Sequence, residues 1–297
     1  MSERMKILIG CDGSEFTEKV LADLKRAGLP TQAEALVLTV AEHWLAAPAS
    51  FGGIDVLYTE EPGEAEKTVA IAQNMKSLLA NSFPEWEIKT DAMWGGAASK
   101  LIERADEWKP DLIAVGSHGR SALGRFFLGS VSQSLLHNAQ CSVRISRGDI
   151  KESNEPVKIL IGMDGSKSAE EAVNVVALRK WPAGSHVRLV NATWMVPVNS
   201  RLSSPIAQWI QSERERVRLA IEAATKKLIA VGLEVSALVE QADPEKLICD
   251  EAVSWEADCV FLGARGMGVV DRLLIGSISS AVAAKAVCPV EVVRISG

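Results

Sequence analysis

The chain contains itself twice. Lys6-Ile7-Leu8-Ile9-Gly10-Cys11-Asp12-Gly13-Ser14 returns 152 residues later as Lys158-Ile159-Leu160-Ile161-Gly162-Met163-Asp164-Gly165-Ser166. Farther along, Gly116-Ser117-His118-Gly119 returns as Gly263-Ala264-Arg265-Gly266, and Gly129-Ser130 as Gly276-Ser277, both 147 residues later. The second copy is therefore five residues shorter somewhere in its middle. A period of this length is far above the ~20–50 residues of a solenoid unit, and 297 residues hold two domains of ordinary size. The repeat predicts two tandem domains, 1–148 and 156–297. The polar stretch from Gly148 to Pro156 joins them, since nothing in it is periodic.

Each copy alternates apolar runs with helical spacings. In the first copy the run Ile7–Gly10 predicts a strand, and Phe16, Val20, Leu24 and Ala27 recur at helical spacing until Gly28 and Pro30. A strand over Ala35–Val40 follows, then an irregular stretch from Glu42 to about Gly63. Next come a helix marked by Ile71, Met75, Leu78 and Leu79, a strand over Trp86–Met93 and a helix marked by Leu101, Ala105 and Trp108. A strand over Asp111–Val115, a helix through Val131 and Leu135, and a strand over Val143–Ile145 close the copy. In the second copy, Ala169, Val173, Val176 and Ala177 mark a helix, Val187–Val190 a strand, and Val217, Ile221, Ala224 and Leu228 another helix. Ile248, Ala252 and Trp255 mark a third, before strands at Cys259–Leu262 and Val290–Val293. Alternating apolar strands and helices predict a parallel sheet covered on both faces. Right-handed crossovers then favour a doubly wound five-stranded unit of flavodoxin-like α/β type. In such a sheet the last strand lies at an edge, and an apolar edge invites pairing, so the two copies are expected to pair within the chain.

Composition removes several functions. Hydrophobic residues make up 47% and charged residues 24%, a globular balance. No apolar run approaches the ~18 residues of a membrane span, and Leu8-Ile9-Gly10-Cys11 lacks the longer apolar stretch of a secretion signal. Residues 1–150 carry 15 basic against 20 acidic side chains, and residues 151–297 carry 17 against 18. Neither half has the positive field that binding to a nucleic-acid backbone needs. The five cysteines are odd in number and form no CxxC pair, which fits buried thiols in a reducing cytoplasm.

The chemistry lies in the loops. Gly116-x2-Gly119-x9-Gly129-Ser130 recurs without a gap as Gly263-x2-Gly266-x9-Gly276-Ser277. Glycine after a strand lets backbone approach a ligand closely, and a helix opening at Ser130 or Ser277 offers free N–H groups to an anion. The same residues also serve as plain turns and N-caps. Asp12 and Asp164 follow the first strand of each copy, at the carboxyl edge where such sheets bind ligands. Each suits hydrogen bonds from a ribose, with an Asx turn closing Asp-Gly-Ser as the alternative. Neither loop is a Walker motif, and no GxGxxG follows the first strand. His118 is replaced by Arg265 in the second copy, so no shared catalytic histidine is expected. No paired base and nucleophile recurs in both loops, and no acidic metal cage is visible, so strong catalysis is not expected. Arg120, Arg125, Arg265 and Arg272 suit phosphate as well as solvent. Trp44 and Trp194, read as equivalent residues four past Val40 and Val190, suit packing beneath the long loop or the border of a ligand, and Arg214, Arg216 and Arg218 suit a solvated helix face.

These residues resemble the ATP-binding branch of the universal stress protein family, the UspA-like proteins. The likeness runs through both copies over nearly the whole chain and includes the closing Cys288-Pro289-Val290. The first copy departs there, with Cys141-Ser142-Val143. The resemblance implies ATP in each half, with magnesium held largely by phosphates. It implies adenine against backbone near Val40 and Val190, and ribose at Asp12 and Asp164. It implies phosphates at Gly116, Gly119, Gly129, Ser130 and Val131 in the first copy, and at Gly263, Gly266, Gly276, Ser277 and Ile278 in the second. The implied role is a nucleotide-dependent regulator or switch in a stress response, acting with an unknown protein partner. Homodimerisation is an added expectation. A weak ATPase or phosphotransferase and a nucleotide-free scaffold are the alternatives.

Overall fold

The computed structural model describes residues 4–41, 63–119, 128–151, 155–193, 204–266 and 275–295. In the first half, β1 (Met5–Gly10), α1 (Glu15–Arg26), β2 (Ala33–Ala41), α2 (Glu64–Ser82) and β3 (Glu87–Trp94) come first. They are followed by α3 (Ala97–Trp108), β4 (Leu112–Gly116), α4 (Ser130–Asn138) and β5 (Ser142–Ser146). The second half repeats this as β6 (Lys158–Gly162), α5 (Lys167–Leu178), β7 (His186–Thr193), α6 (Ser204–Ala230) and β8 (Glu234–Gln241). It closes with α7 (Pro244–Ser254), β9 (Cys259–Gly263), α8 (Ser277–Lys285) and β10 (Val290–Val293).

The strands form one ten-stranded sheet in the order β3-β2-β1-β4-β5-β10-β9-β6-β7-β8. Every pairing is parallel except β5 with β10, where the halves meet antiparallel with Ile145 opposite Val290, Arg144 opposite Glu291 and Val143 opposite Val292. The expected edge pairing is thus present inside the chain. The outer edges, β3 and β8, carry Glu87, Lys89, Glu234 and Glu240 among their residues, charges that discourage further strand addition.

The two faces of the sheet are built differently. On one face Val143 and Ile145 of β5 share a single apolar core with Val290 and Val292 of β10, together with Leu135, Leu136, Val282 and Ala283 from α4 and α8. On the other face each half keeps its own core, around Ile7, Val20, Leu24 and Met75 in one and Ile159, Val173, Ile221 and Phe261 in the other. Between those two cores lies a buried ionic cluster. Arg144 grips Asp23 at 2.6 and 2.9 Å and reaches Glu291 at 3.0 Å, while Arg179 also bonds Glu291 and donates to the Ala27 carbonyl. Ser146 donates to Asp23 at 2.6 Å, and both guanidinium groups lie over the Phe261 ring.

Two details depart from expectation. The sequence reading passed over β8, because its residues are mostly exposed and its pattern Glu-Val-Ser-Ala-Leu-Val-Glu-Gln carries a weak apolar signal. The missing proline at Cys141-Ser142-Val143 leaves the local geometry intact: β5 forms and pairs with β4 from Ser142 to Ser146. Burial pushes Cys11 and Cys249 up to about 11 and Cys141 and Cys259 to about 12, so these thiols stay protonated and unreactive at neutral pH. Among the described residues no helix is long and apolar enough to cross a membrane.

Candidate functional site

The carboxyl ends of β1 and β4 are adjacent strands in the first half, as are those of β6 and β9 in the second. This adjacency brings Asp12 to the Gly116–Gly119 turn across more than a hundred residues of sequence. The contact is close: a Cβ built on Gly119 would lie 2.8 Å from Asp12 Oδ2, and one on Gly266 the same distance from Asp164 Oδ2. A side chain in either place would collide with the carboxylate, which explains glycine there without any ligand.

Both aspartates form the Asx turn. Asp12 Oδ1 accepts from the Ser14 amide at 3.0 Å and the Ser14 hydroxyl at 2.6 Å, and Asp164 Oδ1 accepts from the Ser166 amide at 2.9 Å. Gly13 and Gly165 complete the turns at φ +74° and +72°, a region costly for residues with a side chain. The turn occupies one carboxylate oxygen and directs the other at the loop glycine.

The loop ends are tied together. The Gly129 amide donates to the Ser117 carbonyl at 2.8 Å, and the Gly276 amide to Ala264 at 2.7 Å. The following helices, each nine residues long, begin at Ser130 and Ser277, which are exposed, with Val131 half-buried and Ile278 41% exposed. The first-turn amides of each helix have no partner within the helix. Sequence reasoning missed Ser132 and Ser279. Both are buried, and each donates at 2.7 Å to the last carbonyl of the preceding strand, Gly116 or Gly263. Their signal was available: Gly-Ser-x-Ser recurs at the 147-residue offset. These hydroxyls hold each helix start against its strand end.

Two expectations need correction. Val40 and Val190 are not counterparts. The Cys11 amide bonds the Leu38 carbonyl while the Met163 amide bonds that of Val190, so Val190 matches Leu38 and Val40 matches Ala192. The offset stays 152 through β2 and β7 and becomes 147 only at β3 and β8. Trp44 and Trp194, equivalent only on the other alignment, lie outside the described residues, as do Arg120, Arg125 and Arg272. Packing gives glycine at 263 a further reason, since a Cβ there would sit 2.5 Å from the Ser168 backbone at the start of α5. Second, Arg216 is not a solvated charge. It donates to the carbonyls of Asp164 and Gly165 and to Glu213, whereas Arg214 and Arg218 remain exposed. In the first half the same place over the turn belongs to Ile71.

The two halves therefore differ in charge around one shared geometry. The first has Ile71 and His118, whose pKa is lowered by burial and by the nearby charges of Arg147 and Lys19, so the imidazole is neutral at pH 7. The second has Arg216 and Arg265 in the corresponding places. Among the described residues no group of three or more metal-ligating side chains comes together.

Comparison with known proteins extends the likeness to both halves. The model of the universal stress protein family matches residues 3–147 and 157–294. A universal stress protein of Mycolicibacterium smegmatis is 29% identical over 97% of this chain and 96% of its own length. One from Thermus aquaticus is 33% identical and, at 97% of its own length, covers 46% of this chain. Among solved structures, a universal stress protein from Archaeoglobus fulgidus superposes over 97% of this chain and 96% of its own with a TM-score of 0.62 at 21% identity.

Proposed function

Because the chain belongs to the universal stress protein family, with one family domain in each half, we propose that it is a cytoplasmic tandem nucleotide-binding protein. Each half, 1–148 and 156–297, takes one ATP, with magnesium held mainly by the phosphates. The observation that carries this reading is the duplicated convergence of an aspartate, two loop glycines and a helix start at the carboxyl edge of the sheet. In this reading Asp12 and Asp164 receive the ribose hydroxyls. Gly116, Gly119, Gly129, Ser130 and Val131 face phosphate in the first site, and Gly263, Gly266, Gly276, Ser277 and Ile278 in the second. Adenine lies near Val40 in the first half and near Ala192, its structural counterpart, in the second, with Val190 one step deeper. The role is that of a nucleotide-dependent switch in a stress response. A homodimer of whole chains would use a surface other than β5 and β10, since those strands are already paired. The five free thiols fit a reducing compartment.

The phosphate-centred part of this reading sets an expected ratio. ATP should bind at least tenfold more tightly than adenosine, about 1.4 kcal/mol. Asp12→Asn and Asp164→Asn keep the Asx-turn acceptor but replace the second oxygen, so each should weaken both ligands at its own site by a similar factor. Competition binding with ATP, AMP and adenosine measures this. Equal affinity for ATP and adenosine would remove the phosphate loops from the site.

A further inference from the structure

The helices that open at the two loops are fastened at their far ends by arginines from the opposite half. Arg147, directly after β5, donates at 2.6 Å to the Ala283 carbonyl in the last turns of α8. Arg294, directly after β10, donates at 2.7 Å to the Leu136 carbonyl in α4. The offset of 147 relates both the arginines and their acceptors, so this is one contact made twice. Both side chains are buried, at 4% and 8% exposure.

Each arginine also stands near the loop of its own half. Ser146, the residue before Arg147, accepts the Ser117 amide at 2.9 Å, and Val293, before Arg294, accepts the Ala264 amide at 2.8 Å. The charge of Arg147 acts on His118, and that of Arg265 acts on Arg294. One residue thus joins the start of one loop to the end of the other half's helix. Late-turn carbonyls carry the negative end of the helix dipole and lack partners within the helix, so a guanidinium there both neutralises and fixes them. A nine-residue helix spans about 13 Å, short enough to move as a rigid rod between its two ends.

We propose that Arg147 and Arg294 are crossed positioning residues: each sets the phosphate-facing helix of the opposite half, so that each nucleotide site depends on a residue of the other half. This rests on the reading of the loops as ATP sites. Neither site is complete within its own half. Losing Arg294 frees the far end of α4 and lets the helix pivot about its Ser132–Gly116 tie, turning its first-turn amides away from the phosphate position, and losing Arg147 does the same to α8 about Ser279–Gly263. Phosphate contacts suffer, while contacts to adenine and ribose, made by other elements, do not.

The test is photolabelling of the whole chain with 8-azido-ATP, with peptides of the two halves quantified separately as ATP or adenosine competes. Arg294→Met should weaken ATP in the first half by at least about fivefold, the low end of ordinary coupling, and leave the second half within about twofold. Arg147→Met should give the mirror result, and adenosine should be unchanged in both. Lysine keeps the charge but reaches as a single point donor. Arg147→Lys and Arg294→Lys should therefore show the same crossed losses at smaller size, and they carry the test if a methionine variant fails to fold. Losses confined to the variant's own half, equal in both halves, or equal for ATP and adenosine would overturn the proposal. Wild-type protein that shows no saturable, ATP-competed labelling would instead overturn the nucleotide reading, and this proposal with it.

Discussion

Replacing Glu291 with leucine should cost the fold about 3–5 kcal/mol, the usual consequence of removing one member of a buried ion cluster. Glu291 is fully buried and is shared by Arg144 and Arg179, themselves 1% and 5% exposed at the side chain. Among the described residues, without it Arg179 keeps the Ala27 carbonyl and the Phe261 ring, and Arg144 keeps Asp23 and the same ring. Chemical denaturation should show a lower midpoint with an unchanged slope. Exchanging the charges, with Arg144→Glu and Glu291→Arg together, should not rescue stability. The new glutamate would face Asp23 and the new arginine would face Arg179. A double variant as stable as wild type would show that the cluster's polarity carries no information.

That polarity bears on assembly. Arg144 and Glu291 occupy equivalent positions of the two copies and face each other where the copies meet. Pairing two first halves this way would oppose two buried arginines, and pairing two second halves would oppose two glutamates. Opposite charges at this point favour the union of unlike halves, the use of buried charge for specificity that is best attested in register selection.

Val143→Lys combined with Val292→Lys should abolish the cooperative fold of the chain, with a loss of at least about 4–5 kcal/mol. The two valines are directly opposed, each 1% exposed, inside the core that α3, α4, α7 and α8 cover jointly. From sequence alone, lysines here would be expected only to part the halves. The shared core changes that expectation, because neither half buries this face by itself. Thermal unfolding and small-angle scattering would report it. A compact double variant melting at the wild-type temperature would mean that the halves are held through other contacts.

Much of this architecture was legible in the sequence because it was written twice. Apolar runs such as Ile7–Gly10 and Cys259–Leu262 have no polar face to hide, so each reads as a buried strand. The 147-residue offset marks the matching ends of the two loops, where Gly129 bonds Ser117 and Gly276 bonds Ala264. The ionic contacts escaped detection because their partners lie far apart in sequence. The ionic cluster unites Asp23, Arg144, Arg179 and Glu291, and no local spacing marks charged residues as buried. Arg216 sits among exposed neighbours on α6, so periodicity could not separate it from Arg214 and Arg218. The pairing of Val40 with Val190 failed because both merely lie near the end of the second strand, while the register keeps the 152-residue offset there and sets Val190 against Leu38. The aspartates stayed ambiguous for another reason. The Asx turn uses one oxygen of each carboxylate and leaves the other directed at the loop glycine, so the turn and the proposed ribose contact fit the same residue.

The central claim is that one geometry, made twice, holds two nucleotides. Calorimetric titration of the nucleotide-stripped chain with ATP and magnesium tests it most directly. The account predicts two ATP per chain. The Arg216 and Arg265 side should lose more affinity as salt rises, because charge-assisted phosphate binding is screened. Asp12→Asn and Asp164→Asn should each abolish or weaken one site and spare the other. Absence of saturable heat, or a single site indifferent to both substitutions, would contradict it.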